Sequence, residues 1–305
     1  MRMRRFRFSM ALVVVGGVAF GMAQAADYPT NFSNVGGIAY TRHNLTQSTT
    51  GISSAMMTVR NNYGEVCVYC HTPHGANENI AAPLWNRTFK DTTYQTYDQL
   101  GTSTLTATVN APGLNSLTCL SCHDGTVAID SIINMPGSGR YNANSRTSHQ
   151  EAFLDSWVAV PGQTTVSGKH HALAENSPAT TGGCLSCHSG PNGPEVATDF
   201  TVAAIGTDLR NDHPVGIDIP TPRFGVDFRE PNVNLDRISF YDLDGDSKPD
   251  ANEIRYYKTG STYRVECASC HDPHGVSPAV GSPVLPTFLR KTNASSALCL
   301  TCHAL

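Results

Sequence analysis

Ten cysteines are the residues of this chain whose type and spacing could do chemistry. All of them belong to one repeated pattern, in which two residues separate a pair of cysteines and a histidine follows the second. The cysteine pairs are Cys67 and Cys70, Cys119 and Cys122, Cys184 and Cys187, Cys267 and Cys270, and Cys299 and Cys302. The histidines that follow them are His71, His123, His188, His271 and His303. The pattern accounts for every cysteine of the sequence.

The CxxCH spacing is typical of covalent haem attachment. Two intervening residues let one turn of backbone present both thiols to the two vinyl groups of a haem, and the next residue, histidine, reaches the iron as proximal ligand. A zinc site needs four ligands around one ion and requires no histidine after every second cysteine, and a disulfide ignores histidine altogether. We therefore expect five haem c groups as cofactors.

Histidine is also the best candidate for the sixth, distal iron ligand. Seven histidines lie outside the five motifs: His43, His74, His149, His170, His171, His213 and His274. Methionine is the other common sixth ligand, but only three methionines follow residue 25: Met56, Met57 and Met135. The composition therefore favours bis-histidine iron, and the absence of methionine ligation implies comparatively low reduction potentials.

Four of these histidines have informative surroundings. His74 and His274 both lie three residues beyond a proximal histidine, which makes it difficult for either to cap its own haem, so each is expected to bind the iron of a neighbouring haem. His43 and His213 lie in polar, loop-like sequence, where a histidine is usually a solvated side chain. Because five irons need ligands, we interpret both as distal ligands.

A second metal-binding pattern lies between the third and fourth motifs, in residues 242–253. Positions 1, 3, 5, 7, 9 and 12 of this twelve-residue segment are Asp242, Asp244, Asp246, Lys248 (through its carbonyl), Asp250 and Glu253. This is the ligand pattern of an EF-hand calcium loop. Ser247 stands at position 6 in place of the usual glycine, and the flanks 237–241 and 254–257 alternate like strands. We expect a weak Ca²⁺ site; the alternative is a solvated acidic turn.

The N-terminal segment and the charge balance limit location and partners. Residues 1–25 combine four arginines, an apolar run of about 13 residues and a small-x-small end, and are expected to be a secretory signal rather than a membrane anchor, which needs about 20. Without those arginines, 17 basic residues face 25 acidic ones, a net charge of −8. Nucleic acid and membrane insertion are therefore not expected. We expect a secreted protein, extracellular or at the cell surface, with the periplasm as the alternative.

A repeat organises the remaining chain, residues 26–305, which is expected to form a single pentahaem domain. Units 66–123 and 266–303 each run from CxxCH followed by x-Pro-His-Gly to a second CxxCH. Twenty-six glycines and 18 prolines interrupt any long periodicity. The predicted fold is therefore mostly irregular coil with short helices at the motifs and few strands, organised around a chain of five haems.

These motifs resemble those of multihaem c-type cytochromes with doubled CxxCH units. Within that group the chain is similar to the extracellular cytochromes of metal-reducing bacteria that polymerise into haem filaments, in residues 42–45, 66–75, 82–87, 212–214 and 270–275. The resemblance implies axial roles for His43, His74, His213 and His274. The segment around Cys184 departs from the four-haem members, so its sixth ligand remains open among His149, His170 and His171, of which we favour His171.

The sequence therefore predicts an electron-transport protein rather than an enzyme. The chain has enough histidines to give every iron a sixth ligand, and all five motifs keep the histidine that would be the proximal ligand. The expected partners are copies of the chain in a head-to-tail filament, other redox cytochromes and extracellular electron acceptors. Because His43 lies in an N-terminal polar segment, we expect it to bind an iron of the adjacent protomer; the alternative is that it folds back onto its own chain. Other functions to consider are a monomeric periplasmic carrier and a small-oxyanion or peroxide reductase.

Overall fold

The computed structural model describes residues 33–46, 63, 65–78, 82–134, 171–173, 183–189, 199 and 201–304. The α-helices of these residues are α1 (Leu114–His123), α2 (Leu185–His188), α3 (Cys267–Cys270) and α4 (Cys299–Cys302). Short 3₁₀ segments cover Ile38–Tyr40, Cys67–Tyr69, Tyr97–Leu100, Thr201–Ala203, Thr221–Arg223, Pro286–Phe288 and Ala294–Ser296. Within this described part, no helix combines the length and the apolar character that crossing a membrane would need. The predicted signal, residues 1–25, lies outside it.

Helical turns coincide with the CxxCH motifs. Each of the four α-helices overlaps one motif, and the first motif begins with the 3₁₀ segment Cys67–Tyr69. A helical turn brings the side chains of residues three apart onto one face, so both thiols of a motif project in the same direction. The α-helices of the described chain are thus placed at the cysteine pairs.

A five-stranded antiparallel sheet carries the segment before the fourth motif. Its strands are β1 (Ile217–Asp218), β2 (Val233–Asn234), β3 (Ile238–Phe240), β4 (Arg255–Thr259) and β5 (Thr262–Val265), in the order β1-β5-β4-β3-β2. Strands β4 and β5 form a hairpin in which Thr259 pairs with Thr262. Gly260 begins the two-residue turn with φ +63°, a left-handed conformation that glycine adopts without steric cost. The hairpin leads directly into α3.

Two small apolar clusters pack behind motif cysteines. The first consists of Tyr63, Val68, Tyr69 and Ile132, with Leu45 and Cys70 against it. The second consists of Tyr241, Ile254 and Tyr256, with Ile219, Tyr263, Val265, Leu298 and Cys302 against it. Because each cluster ends on the second cysteine of a motif, the two clusters lie behind the first and fifth motifs.

The two repeat units are joined by one buried carboxylate. Glu266 is only 1% exposed and accepts hydrogen bonds from Gly113 N at 3.0 Å and from the Ser116 hydroxyl. Its carboxylate lies at the N-terminus of α1, where the helix dipole favours negative charge, and it also forms a capping box with Ser269 at the start of α3. A side chain at Gly113 would meet the carboxylate, since an added Cβ would lie 2.3 Å from Glu266 Oε1. Unit 266–303 therefore caps the helix of unit 66–123.

We expect Glu266→Ala to lower the free energy of unfolding by about 3 kcal/mol, because it leaves buried donors at Gly113 and Ser116 without an acceptor. Glu266→Gln retains one acceptor oxygen, so this variant should lower the free energy of unfolding by only about 1 kcal/mol. Urea denaturation of the purified protein measures both. Glu230→Ala, which removes an exposed glutamate, is the matched control. Equal stability of Glu266→Ala and Glu230→Ala would contradict this role.

Candidate functional site

A returning segment of chain holds the first CxxCH motif in place. Trp85 forms a backbone bridge with His71. The backbone N–H of Asn86 donates to Cys70 O at 2.9 Å, and its side-chain Nδ2 donates to Val68 O at 2.7 Å. The last carbonyls of a helical turn have no partner within the turn, so Asn86 satisfies two of them at once.

The fourth and fifth motifs are held in the same way, with arginine in place of asparagine. In each, the backbone N–H of the arginine donates to the second cysteine and its Nε donates to the residue after the first cysteine. These bonds run from Arg290 N to Cys270 O (2.7 Å), Arg290 Nε to Ala268 O (2.9 Å), Arg229 N to Cys302 O (2.7 Å) and Arg229 Nε to Leu300 O (3.0 Å). Three motifs therefore share one support, although the supporting residue lies before the motif in one case and after it in two.

The returning segments of the first and fourth motifs also share a strained residue. Leu84 and Phe288 have φ of 53° and 59°, in the left-handed region that costs a residue with a side chain roughly 1–2 kcal/mol. Each offers its carbonyl to the residue after the proximal histidine, Thr72 and Asp272 respectively, at 2.9 and 2.8 Å. This conformation turns the neighbouring carbonyls toward the motif.

Six described histidines have their Nδ1 atom within hydrogen-bond distance of an oxygen. The contacts are His43 with Pro273 O (2.9 Å), His71 with Pro83 O (2.9 Å), His123 with Ala203 O (2.6 Å), His213 with Pro214 O (3.1 Å), His271 with Thr287 O (2.7 Å) and His274 with Asp272 Oδ1 (3.0 Å). A carbonyl oxygen only accepts, so Nδ1 must carry the hydrogen and Nε2 keeps its lone pair. The Nε2 atoms are therefore the ones available to a metal, and the second contact orients each ring.

Two pairs of imidazoles lie close together. The ring centroids of His43 and His123 lie 6.1 Å apart with planes inclined by 76°, and those of His71 and His274 lie 6.3 Å apart with planes inclined by 9°. Two imidazoles that bind one metal ion from opposite sides, with each metal–nitrogen bond about 2.0 Å long, have ring centres roughly 6 Å apart. Both spacings thus fit an iron atom between the rings, beside the cysteines that would attach its haem.

The electrostatic surroundings of three of these imidazoles favour the neutral form that a metal ligand needs. Desolvation, with smaller contributions from the nearby His123 and His274 imidazoles, lowers the pKa of His43 to about 4. Desolvation also lowers the pKa of His123 and of His213, and the neighbouring His303 contributes to the shift at His213. His303 is therefore a neighbour of His213.

His274 has a different environment. A hydrogen bond to the Asp272 carboxylate raises the pKa of His274. Burial acts to raise the pKa of Asp272, but the His274 hydrogen bond and the Arg290 charge outweigh it and lower that pKa to about 2. Asp272 therefore stays a carboxylate against the imidazole ring.

The thiols place four motifs in a spatial series. Burial raises the pKa of Cys70 to about 12, with Cys122 as a further contributor. Cys267 N donates to the hydroxyl of Ser116, in the helix that contains Cys119, at 2.9 Å, and the nearby Cys267 thiol raises the pKa of Cys119. Burial raises the pKa of Cys270 to about 12, and Cys302 contributes next. The first, second, fourth and fifth motifs are therefore neighbours in that order.

The third motif is attached to the chain that follows the second. Cys184 N donates to Ala172 O and Leu185 N donates to Leu173 O, both at 3.2 Å, while Ile129 N donates to His171 O at 3.1 Å. His171 itself is buried, with 5% of its surface exposed. The favoured distal candidate thus lies next to the motif that it is expected to serve, whereas His149 and His170 lie outside the described residues.

His43 lies against its own chain in this structure. Its ring stacks on Phe288 with centroids 4.2 Å apart, and its Nδ1 contacts Pro273 O. The polar segment 33–46 contacts unit 266–303, for example through Val284 N to Asn34 O at 2.6 Å. This position corresponds to the alternative in which His43 folds back onto its own chain, and the contact with an adjacent protomer stays a prediction. His74, His213 and His274 are the exposed candidates, and the described hydrogen bonds of His74 involve its backbone.

Three carboxylates of the acidic loop come together. Ligand atoms of Asp242, Asp244 and Asp246 all lie within 4.8 Å of one another. Strands β3 and β4 flank the loop, as the alternation indicates, and Ser247 has φ 61°, the left-handed conformation for which position 6 usually holds glycine. Glu253 is buried, and its carboxylate accepts Leu243 N at 2.7 Å and Asp250 N at 2.9 Å. The cluster therefore consists of the first three positions of the pattern.

Four residues with evident roles at the motifs were not predicted as site residues: Arg229, Glu266, Asp272 and Arg290. A fifth such residue is Arg87, which lies in the segment 82–87 on which the sequence resemblance partly depends. Its buried guanidinium donates to Ser121 O, Ala128 O and Ile129 O. The sequence does show an arginine after both the first and the fourth motif, and this recurrence could have marked Arg87 and Arg290 as site residues. It could not have shown which residues they contact, since most of these lie dozens of positions away.

Comparison of the chain with models of known protein families and with curated proteins finds no match to either.

Proposed function

We propose that this protein transports electrons through five covalently attached c-type haems. The observation that carries the proposal is the spacing of two imidazole pairs, whose ring centroids lie 6.1 and 6.3 Å apart, each pair beside a CxxCH motif. A bound haem takes up and releases one electron at its iron. The contribution of the chain is to fix the imidazoles, exclude water and hold successive motifs close together.

The proposed ligand assignment follows the contacts. The cysteines of each motif hold the haem, and the histidine of the motif is the proximal ligand. As distal ligands we assign His274 opposite His71, His43 opposite His123, and His213 opposite His303. His171 is assigned to the third motif, and His74 remains the candidate for the fourth.

Electron transport is favoured over catalysis because the chain has enough histidines to give every haem iron two axial ligands. A reductase would need an iron with an open position and an acid group beside it. A small-oxyanion or peroxide reductase would therefore contain a high-spin haem that binds added ligands. The absorption spectrum of the purified protein separates these functions.

We further propose that the protein works outside the cell or at its surface, as a head-to-tail polymer that passes electrons to other redox cytochromes or extracellular acceptors. The resemblance in sequence supports this arrangement, and the exposed His74 is available for a contact between copies. A monomeric periplasmic carrier is the alternative. Electron microscopy of secreted material distinguishes the two, since only the polymer yields filaments.

The proposal predicts five covalent haems in each matured chain. Both thiols of every motif would be consumed in thioether bonds, so the haems should stay with the polypeptide after denaturation. Intact mass spectrometry measures their number. Four or fewer haems in fully matured protein would contradict the proposal.

His43→Ala should alter one haem and leave the other four bis-histidine. Because His43 faces His123 of its own chain, we expect the affected haem to be the one attached to Cys119 and Cys122, and its low-spin absorption to be lost or shifted. Assembly should persist, because the bond does not join subunits. Soluble protomers with one altered haem, or five unchanged low-spin haems, would contradict the assignment; His74→Ala is the matched variant for an exposed candidate.

We also propose that the acidic loop 242–253 binds Ca²⁺ weakly, supported by the gathered oxygens of Asp242, Asp244 and Asp246. The remaining oxygens of the pattern, from Lys248, Asp250 and Glu253, would complete the site. The affinity expected of an extracellular module is of the order of 0.1–1 mM.

Asp244→Asn should weaken Ca²⁺ binding at least about tenfold, because it removes one ligand charge while keeping an oxygen for the turn bond from Asp246 N. Calorimetric titration with CaCl₂ measures the change. Asp236→Asn removes an exposed carboxylate outside the loop and should leave the affinity unchanged. Absence of Ca²⁺ uptake by the unmodified protein at millimolar concentration would refute the site.

A further inference from the structure

The six anchored histidines differ in the charge of their anchor. Five of them contact a neutral backbone carbonyl through Nδ1, whereas His274 contacts the carboxylate of Asp272 at 3.0 Å. The same Asp272 oxygen accepts the backbone N–H of His274 at 3.0 Å. The carboxylate is thus held by two bonds from one residue, in a position fixed relative to the ring.

A buried arginine completes this arrangement. Nη1 of Arg290 lies 2.9 Å from Asp272 Oδ2, and the side chains of the two residues are only 5% and 13% exposed. Arg290 is itself fixed by donating to Ala251 O at 2.8 Å and to Ala268 O at 2.9 Å. The carboxylate therefore cannot rotate away from His274 without breaking a shielded, charge-assisted hydrogen bond.

The first repeat unit supplies an internal comparison. Thr72 occupies the position directly after the proximal histidine that Asp272 occupies in the second unit. Its hydroxyl donates to His74 O at 2.7 Å. The first unit thus places a neutral hydroxyl where the second places a carboxylate, although their backbone pairing is alike.

We propose that Asp272 is a positioning residue that lowers the reduction potential of the haem held between His71 and His274. This inference rests on the proposed function. A carboxylate that accepts the Nδ1 hydrogen increases the basicity of the ligating Nε2. A more basic ligand, with a negative charge behind it, stabilises the oxidised iron relative to the reduced iron. Arg290 fixes the carboxylate and moderates its charge.

The test is a potentiometric titration of the matured Asp272→Asn protein, followed by visible absorption and by electron paramagnetic resonance of the ferric haems. Asn keeps an oxygen toward His274 but removes the charge. We expect the redox equilibrium of one haem in five to shift about tenfold toward the reduced form, which is about 59 mV for one electron. The other four should keep their potentials.

Three variants make the result specific. Asp272→Thr installs the residue of the first unit and should give a similar shift, Asp272→Glu keeps the carboxylate and should retain a low potential, and Asp236→Asn removes an equal charge from an exposed site and should change nothing. Five bound haems with unchanged potentials in both Asp272→Asn and Asp272→Thr would overturn the inference while leaving the proposed function intact. An equal shift of all five haems would also overturn it. A wild-type chain without covalent haem would instead refute the proposed function.

Discussion

An imidazole can face a metal ion in a defined direction only if its ring is prevented from rotating. Here the restraint comes from oxygens on Nδ1, supplied by loop carbonyls such as Pro83 O for His71 and Ala203 O for His123. In a chain whose helices are mostly a single turn, such bonds replace the rigidity that long elements would give. The irregular loops are therefore part of the site, because their carbonyls set the tautomer and the direction of the ring.

The same constraint explains why the backbone supports recur while the side chains differ. Each short helical turn leaves carbonyls that need donors, and Asn86, Arg290 and Arg229 supply them from different parts of the sequence. Arginine reaches farther than asparagine, and Arg290 uses that reach to contact Asp272 as well. A residue that caps a helical turn can thus also act on the charge beside a distal histidine.

Glu266 shows that the two repeat units are not independent. Its carboxylate lies at the start of the helix of the second motif and of the helix of the fourth, and Cys267 N donates to the Ser116 hydroxyl of the first of these helices at 2.9 Å. Under the proposed function, this contact would bring together the two haems of the second and fourth motifs. These two motifs are therefore neighbours in space, although the third motif lies between them in the sequence.

The sequence by itself determined the ten thiols, the five histidines that follow them and the strands around the acidic loop, because those features depend on residue spacing within a few positions. Only the tertiary structure decided which imidazoles face one another, since the restraint on His43 comes from Pro273, 230 residues away. It placed His43 on its own chain, because Phe288 and Pro273 provide a stacking and hydrogen-bonding surface there. Likewise, the pairing of Asp272 with Arg290 depends on a returning loop whose path no local pattern specifies.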